Sequence, residues 1–275
     1  MCVALASAFA QPVSWSPEKL INGAPGVFRY KPATPLKSLS GNFLGKRVFF
    51  SFDQASGVWY GFVGVDYDTK PGNHDLGLNG VAANGQKVSF AQIIPVAKGY
   101  YRTTAISVPK KYIDPDPADV PRILQERDLK NDVLNRVTEK QLWVGNFVAP
   151  AILGTTSEFG SQRTYNGKRQ SAHFGLDYGA GTGTPIRAIN AGKVILARDM
   201  YFEGGCVVID HGQGLLSLYF HLSQFKIKEG DTVNKGQLIA LSGGTGRVTG
   251  PHLHLAVRWQ GSYVNPATLL GLKLP

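Results

Sequence analysis

The frequency of glycine and proline is the feature that most constrains the fold of this chain. Its 275 residues include 33 glycines and 16 prolines. Turn-forming residues at this density interrupt regular structure at short intervals, which favours many short strands over long helices. A chain of this length can bury a full core and is long enough for two domains. We therefore predict a mostly β protein.

Runs of β-branched and aromatic residues predict strands in the first part of the chain. Four such runs occur, at residues 47–52, 58–63, 87–94 and 103–108. They are separated by turn signals at intervals typical of a β-sandwich. We predict an N-terminal, sandwich-like β domain at residues 11–113.

A helix is predicted between two β regions. Asp114-Pro115-Asp116-Pro117 breaks the strand pattern, and apolar residues then recur at helical spacing from about Val120 to Lys140. Residues 114–147 are interpreted as a linker that contains this helix. From residue 148 to residue 275 the chain is again rich in glycine and short strands, which predicts a second, nearly all-β domain.

The extreme N-terminus resembles the end of a secretory signal. Residues 1–10 are mostly small and apolar, and Ala8-Phe9-Ala10 before Gln11 fits a small-x-small cleavage site. The segment lacks a charged leader, so a short terminus without a targeting role is the alternative. The signal interpretation implies export to the periplasm or cell envelope. No stretch is long and apolar enough to cross a bilayer, so stable membrane insertion is not expected.

Charge and cysteine content limit the classes of partner. The net charge of +10 is shared by both halves of the chain, which favours an anionic partner or serves solubility. No run of five or six basic residues and no compact nucleic-acid motif occurs, so a nucleic-acid partner is not predicted. Cys2 lies in the segment that we expect to be removed. Cys206 lies in an apolar run and is predicted to be a buried, inert thiol.

Histidine is concentrated in the last third of the chain, where five of the six histidines follow residue 170. The segment at residues 251–257 alternates as a half-buried strand does. Leu253 and Leu255 therefore face one side, while His252 and His254 face the other. Two imidazoles that point into the same space are a common way to place metal ligands.

A second segment supplies another imidazole and a carboxylate. His173 and Asp177 are four residues apart, and Gly175 between them favours extended or looped backbone over a helix. Zinc accepts histidine nitrogen and carboxylate oxygen, and catalytic zinc sites use three protein ligands and a water. The two segments together predict a metal site.

Three motifs in order resemble the lysostaphin/LytM-type zinc endopeptidases, which cut peptides of bacterial cell walls. They are His-x-x-x-Asp at residues 173–177, Tyr-Phe-His-Leu-Ser at 219–223, and Gly-Arg-Val-Thr-Gly-Pro-His-Leu-His at 246–254. The resemblance covers about residues 159–266. It implies an all-β, groove-shaped peptidase domain at residues 148–275 that acts on peptidoglycan peptides. We expect a monomer.

The resemblance also implies roles for individual residues. His173, Asp177 and His254 match the ligands of one Zn²⁺ per chain, and His221 and His252 match the catalytic histidines. No His-Glu-x-x-His occurs, so histidine must act as the acid and base. Tyr165 lies where several relatives carry a tyrosine that could donate to the oxyanion, and a surface tyrosine is the alternative.

Two other histidines are interpreted differently. His211 matches no ligand and is predicted to be structural. His74 is predicted to face solvent. A few relatives are held latent by an N-terminal segment that enters the groove, and Asn73 or His74 is the candidate for such a contact here.

Two rival functions remain at this point. A non-catalytic relative could bind peptidoglycan or activate amidases, but such proteins typically lose zinc ligands, whereas all three positions are kept here. A zinc amidase would remove the stem peptide from the sugar. The sequence does not decide which bond is cut.

Overall fold

The computed structural model describes residues 12–106, 112, 114–165 and 169–275, and the side chains of 104–106, 163–165, 169 and 170 are not described. The described chain is mostly β, as predicted. Three sheets and two helices account for its regular structure. The predicted signal segment at residues 1–10 lies outside the described residues. No helix in the described ranges is both long and apolar enough to span a bilayer.

The first sheet has seven strands in the order β1-β2-β5-β4-β3-β6-β7. The strands are β1 Ser14–Ser16, β2 Pro25–Tyr30, β3 Leu36–Phe43, β4 Lys46–Asp53, β5 Val58–Gly64, β6 Gly72–Ala82 and β7 Lys87–Val96. All its pairings are antiparallel. The strands predicted from apolar runs correspond to β4, β5 and β7.

The second sheet joins distant parts of the chain. It has three strands in the order β11-β10-β8, with β8 at Thr103–Ile106, β10 at Gln162–Tyr165 and β11 at Arg169–Ala172. β10 and β11 are antiparallel, whereas β8 and β10 are parallel. The predicted strand at 103–108 is therefore present, and residues 107 and 108 lie outside the described residues.

The third sheet has ten strands and holds the predicted site. Its main path runs β17-β14-β15-β16-β19-β12-β9, with β13, β18 and β20 paired beside it. These strands are β9 Thr155–Ser157, β12 Leu176–Tyr178, β13 Pro185–Arg187, β14 Gly192–Met200, β15 Gly204–Asp210, β16 Leu215–Phe225, β17 Thr232–Val233, β18 Leu238–Ser242, β19 Leu253–Trp259 and β20 Ser262–Val264.

The two helices are α1 Val120–Leu134 and α2 Pro266–Gly271. The prediction extended α1 to Lys140, but the helix stops six residues earlier, with Asn135 as its C-cap. Tertiary contacts explain the difference. Thr138 Oγ1 donates to Asp210 Oδ2 at 2.5 Å, and the carbonyl of His211 accepts from the backbone N–H of Leu142. These bonds hold the chain against the ten-stranded sheet in a non-helical path.

Apolar side chains pack on both faces of the ten-stranded sheet. On one face, Leu253, Leu255 and Val257 are fully buried in a core that continues into the seven-stranded sheet. On the other face, α1 covers a smaller cluster that includes Leu134 and Ala256. The alternation predicted for residues 253–257 is therefore present. Burial of this cluster also encloses Cys206, as predicted.

Candidate active site

Asp177 and His254 lie on neighbouring strands and His173 lies just before one of them. Asp177 in β12 is directly opposite His254 in β19. Asp177 Oδ1 lies 2.9 Å from His173 Nε2 and 2.8 Å from His254 Nδ1, and the two nitrogens are 3.0 Å apart. His173 and Asp177 are buried, and His254 is partly exposed. The structure thus brings the three predicted ligands together.

Gly175 permits this close arrangement. A Cβ atom at residue 175 would lie 2.3 Å from His254 Cε1 and 2.4 Å from His254 Nε2. The same atom would lie 2.8 Å from the backbone oxygen of Leu255. Because any side chain larger than hydrogen would occupy the space of the imidazole, glycine is needed for the chain at 173–177 to pass beside β19.

Hydrogen bonds orient the imidazole of His173. Its Nδ1 lies 2.9 Å from the carbonyl oxygen of Glu158. A carbonyl oxygen only accepts, so Nδ1 carries the proton and the neutral ring presents a lone pair at Nε2. An outer hydrogen bond of this kind fixes the tautomer and direction of a metal-ligating histidine.

The carboxyl group of Asp177 is held in its ionised form. Burial acts to raise its pKa, but the close contacts with the imidazoles of His173 and His254 outweigh burial and hold the pKa well below its ordinary value. A carboxylate beside two imidazoles results.

The donor set fits a divalent cation. Two imidazole nitrogens and one carboxylate oxygen converge from three points of the chain, and the lone pair of His173 Nε2 faces the carboxylate. Two electron-pair donors at such a distance need a proton or a cation between them. Adjacent ligands of a tetrahedral zinc ion are roughly 3.3 Å apart, which follows from bond lengths near 2 Å. The observed separations of 2.8–3.0 Å are close to that value.

His221 and His252 lie beside the three ligands. Their ring centroids are 4.7 Å apart, and the ring of His221 is 6.1 Å from that of His254. His252 Nε2 lies 3.9 Å from Asp177 Oδ1. His252 Nδ1 lies 2.8 Å from the carbonyl of Gly250, which places its proton on Nδ1. All five predicted histidine and aspartate residues therefore form one group.

The backbone of His221 has an unusual conformation. Its φ is +65°, a value in the left-handed region that few residues other than glycine adopt. Its Nδ1 donates to the carbonyl of Thr245 at 2.9 Å, so Nε2 presents the lone pair. Burial, together with the charges of His254 and His252, lowers the pKa of His221 to about 3. The imidazole is therefore neutral near pH 7.

A cleft of about 280 Å³ opens onto this group. Its lining includes His173, His221 and His254. Aromatic rings form much of the remaining wall, and the ring of Phe220 stacks on that of His254 at 5.2 Å with an interplanar angle of 9°. The aromatic lining residues are Phe174, Phe202, Phe220 and Tyr263.

Two charged residues of the cleft were not predicted. Glu203 and Arg247 both line it. Arg247 lies inside the motif at 246–254, and this position is a signal in the sequence from which its place beside the cleft could be predicted. Glu203 lies in the connection between β14 and β15, and no pattern in the sequence marks it.

The other candidates are placed as follows. Tyr165 ends β10, but its side chain lies outside the described part of the structure. Asn73 and His74 lie in β6, and neither is among the described residues that line the cleft. His74 is half-buried rather than fully exposed, with Nε2 2.9 Å from the carbonyl oxygen of Lys70. His211 is fully buried, as a structural role predicts.

Comparison with known proteins identifies the class of this fold and site. The profile described as Peptidase family M23 matches residues 171–266. A crystal structure from Pseudomonas aeruginosa that was assigned to peptidase M23 is 30% identical, with a TM-score of 0.70. The alignment covers 92% of this chain and 96% of that chain. The chain belongs to peptidase family M23, which confirms the resemblance seen in the sequence.

Two named relatives are similar over the site region alone. The peptidoglycan DD-endopeptidase ShyA of Vibrio cholerae is 44% identical over 98 residues, which are 36% of this chain and 23% of that protein. The DD-carboxypeptidase/endopeptidase Mpg of Neisseria meningitidis is 43% identical over 97 residues, or 35% of this chain and 22% of that protein. The matched segment is thus less than a quarter of either relative.

Proposed function

We propose that this chain is a zinc-dependent endopeptidase that hydrolyses peptide cross-links or bridges of bacterial peptidoglycan. Membership of peptidase family M23 supports peptide hydrolysis, and the names of ShyA and Mpg support peptidoglycan as the substrate. The observation that carries the proposal is the convergence of His173, Asp177 and His254 beside two further imidazoles.

His173 Nε2, Asp177 Oδ1 and His254 Nδ1 are the atoms that would hold one Zn²⁺. When bound, zinc supplies Lewis acidity, which polarises the scissile carbonyl and makes an attacking water more acidic. The contact between His173 Nδ1 and the carbonyl of Glu158 keeps the ligand nitrogen turned toward the site. The stacked ring of Phe220 restricts rotation of His254 in the same way.

His221 and His252 are proposed to move the protons of the reaction. Each holds its own proton at Nδ1 against a backbone carbonyl, so each presents Nε2 as a proton acceptor. A histidine within hydrogen-bond reach takes a proton from the attacking water and later gives it to the leaving amine. Because no glutamate stands in a His-Glu-x-x-His motif, this pair is the proposed source of general acid and base catalysis.

Tyr165 is proposed to donate a hydrogen bond to the oxyanion. Its support is its position at the end of β10, whose partner β11 leads directly to Ala172 and His173. Removal of one oxyanion donor typically lowers kcat by about 10²–10³. We therefore expect Tyr165→Phe to lower kcat, with zinc content unchanged, when the variant is assayed on defined muropeptides.

The direct test combines metal analysis with digestion of purified sacculi. We expect wild-type protein to bind one zinc and to release muropeptides with new N-termini within the peptides. Asp177→Ala should lose both properties, whereas Asp132→Ala, which removes an exposed aspartate of α1, should keep both. Normal zinc content and activity in Asp177→Ala would contradict the ligand assignment. Free lactyl groups on the sugars would instead identify an amidase.

We also propose a location for this protein and a role for its net charge. Residues 1–10 and the nature of the substrate support export to the periplasm or cell envelope. The net charge of +10 would help to hold the protein to an anionic wall.

A further inference from the structure

The connection between β14 and β15, residues 201–203, lies at the edge of the cleft and is bonded to His221. The carbonyl oxygen of Glu203 accepts a hydrogen bond from the backbone N–H of His221 at 2.8 Å. The carbonyl oxygen of Phe202 accepts one from the backbone N–H of Arg247, also at 2.8 Å. Gly205, the second residue of β15, donates its backbone N–H to Thr245 Oγ1 at 2.9 Å. Thr245 is also the residue whose carbonyl holds the imidazole of His221. The β14–β15 connection therefore holds the backbone of His221, and β15 holds the residue that orients its ring.

His221 depends on such support more than an ordinary strand residue does. Its φ of +65° is sparsely populated for any residue with a Cβ. A residue in such a conformation keeps it only when the surrounding structure over-determines it. Loss of the bond from His221 N–H to Glu203 O would remove the described hydrogen bond of this backbone N–H.

Helix α1 holds the β14–β15 connection from outside the sheet. Arg122, Glu126 and Lys130 follow one another at intervals of four residues, so they share one face of the helix. Arg122 pairs with Asp199 at 3.2 Å, and Glu126 Oε2 accepts from the backbone N–H of Tyr201 at 2.7 Å. The third residue, Lys130, pairs with Oε1 of Glu203.

The ion pair between Lys130 and Glu203 is more buried than the one between Arg122 and Asp199. The two side chains are 25% and 14% exposed, whereas Arg122 and Asp199 are 48% and 68% exposed. Glu203 Oε2 is buried with no hydrogen-bond partner among the described residues. Lys130 is therefore the main compensation for a buried carboxylate, and its removal would leave that charge in a poorly solvated place.

We infer that Lys130, supported by Glu126, is a positioning residue for His221, acting through Glu203 and the β14–β15 connection. This inference rests on the proposed function, because it assumes that His221 takes part in the reaction. Among the described residues, the hydrogen bonds and ion pairs of Lys130 include none to the three ligand residues or to His221, and Lys130 does not line the cleft. Residues 120–134 also lie outside the segment matched by the family profile, so this support belongs to the part of the chain that the profile does not cover.

The test compares Lys130→Met with Lys130→Arg and with Arg127→Met. Arg127 lies on the same helix, is 59% exposed and pairs with its neighbour Asp128, so its removal is a matched control. Because a misplacement of about 1 Å can cost about 100-fold in rate, we expect Lys130→Met to lower kcat by about 10- to 100-fold. KM and zinc content should stay at wild-type values. Lys130→Arg should recover most of the rate.

Hydrogen exchange of the His221 amide gives a readout that needs no activity. In Lys130→Met we expect this amide to exchange at least about tenfold faster, since its acceptor is the carbonyl of Glu203. Glu126→Leu removes the acceptor of the Tyr201 N–H without exposing a buried charge. If Lys130→Met does not fold, Glu126→Leu replaces it as the test. We expect Glu126→Leu also to lower kcat and to speed exchange of the His221 amide.

Three results would overturn the inference. They are wild-type kcat and exchange in Lys130→Met, an equal loss in Arg127→Met, and a loss that arises only through KM or zinc content. If wild-type protein itself neither binds zinc nor cuts peptidoglycan, the proposed function fails. The exchange comparison then decides by itself whether α1 holds His221.

Discussion

Replacement of Gly175 by alanine is expected to damage the metal site without touching a ligand. The added Cβ would lie 2.3 Å from His254 Cε1 and 2.8 Å from the backbone oxygen of Leu255. Carbon atoms in contact are about 3.5–4.0 Å apart, so the imidazole of His254 or the chain at residue 175 must move by about 1.2 Å or more. The backbone oxygen of Leu255 limits how far the chain at residue 175 can move away from His254.

The expected consequence is a loss of zinc affinity. Changes to residues that support metal ligands typically cost about 10- to 100-fold in affinity or activity, and a shift of a ligand nitrogen by more than 1 Å belongs at the upper end of that range. A 100-fold loss corresponds to about 2.7 kcal/mol of binding free energy. Competition with a fluorescent zinc chelator would measure it, and thermal unfolding of the metal-free protein would show whether the fold is intact.

Gly181→Ala is the matched control for this experiment. Gly181 follows β12 in the same part of the chain, has an ordinary φ, and a Cβ placed there meets nothing within 4 Å. We expect its zinc affinity to equal that of wild-type protein. If Gly175→Ala binds zinc as tightly as Gly181→Ala does, the ring of His254 is not constrained by residue 175, and the close packing inferred for the site is wrong.

Three further predictions address stability and turnover. Burial lowers the pKa of His211 to about 4 from 6.5, so the unfolded state binds a proton first. The contribution of neutral His211 to the free energy of unfolding is complete above about pH 6.5, and about 3 kcal/mol of it should be lost as the pH falls to 4. Urea unfolding of metal-free protein should show this loss, and the loss between pH 6.5 and pH 4 should be smaller by about 3 kcal/mol in the His211→Asn variant. Equal pH dependence in both proteins would contradict it. His252→Ala should keep its zinc and lose about 10²- to 10⁴-fold in kcat, as measured by steady-state kinetics and metal analysis; loss of zinc would mean that His252 is a ligand. Chelation should abolish activity and lower the unfolding temperature, and added zinc should restore both, because an ion that binds only the folded state stabilises it. Activity that persists without metal would refute the metallopeptidase proposal.

The His211 prediction rests on a fully satisfied hydrogen-bond network. His211 Nδ1 donates to the carbonyl of Ala191 at 2.7 Å, and its Nε2 lies 2.8 Å from Ser217 Oγ. The hydroxyl of Tyr219 lies 3.1 Å from Ser217 Oγ and accepts from the backbone N–H of Ile189 at 2.9 Å. A protonated His211 would need an acceptor at Nε2 where the neutral ring accepts instead.

Much of the site could be predicted from the sequence because its information is local. Alternation along residues 251–257 places His252 and His254 on one side without any knowledge of the fold. The pairing of Asp177 with His254 required the resemblance, since 77 residues separate them. The catalytic and ligand roles of these residues stay predictions until metal and turnover are measured.

Contacts that depend on tertiary packing could not be predicted. The sequence gives no sign that α1 ends at Leu134, because the bonds that stop it come from residues 210 and 211. The contact of Lys130 with Glu203 is equally hidden, as both read as ordinary surface charges. The division at residues 113 and 147 also stays a prediction, because the core is continuous between the seven-stranded and ten-stranded sheets.

The parallel pairing of β8 with β10 has a practical consequence for anyone who wishes to shorten this protein. A fragment that begins at residue 148 would keep every candidate ligand but would leave the backbone groups of residues 162–165 open along one side. Such an uncovered strand invites self-association. A recombinant fragment should therefore begin upstream of Thr103. If a shorter fragment precipitates, the cause to consider first is the loss of β8 beside β10 rather than a defect in the candidate active site.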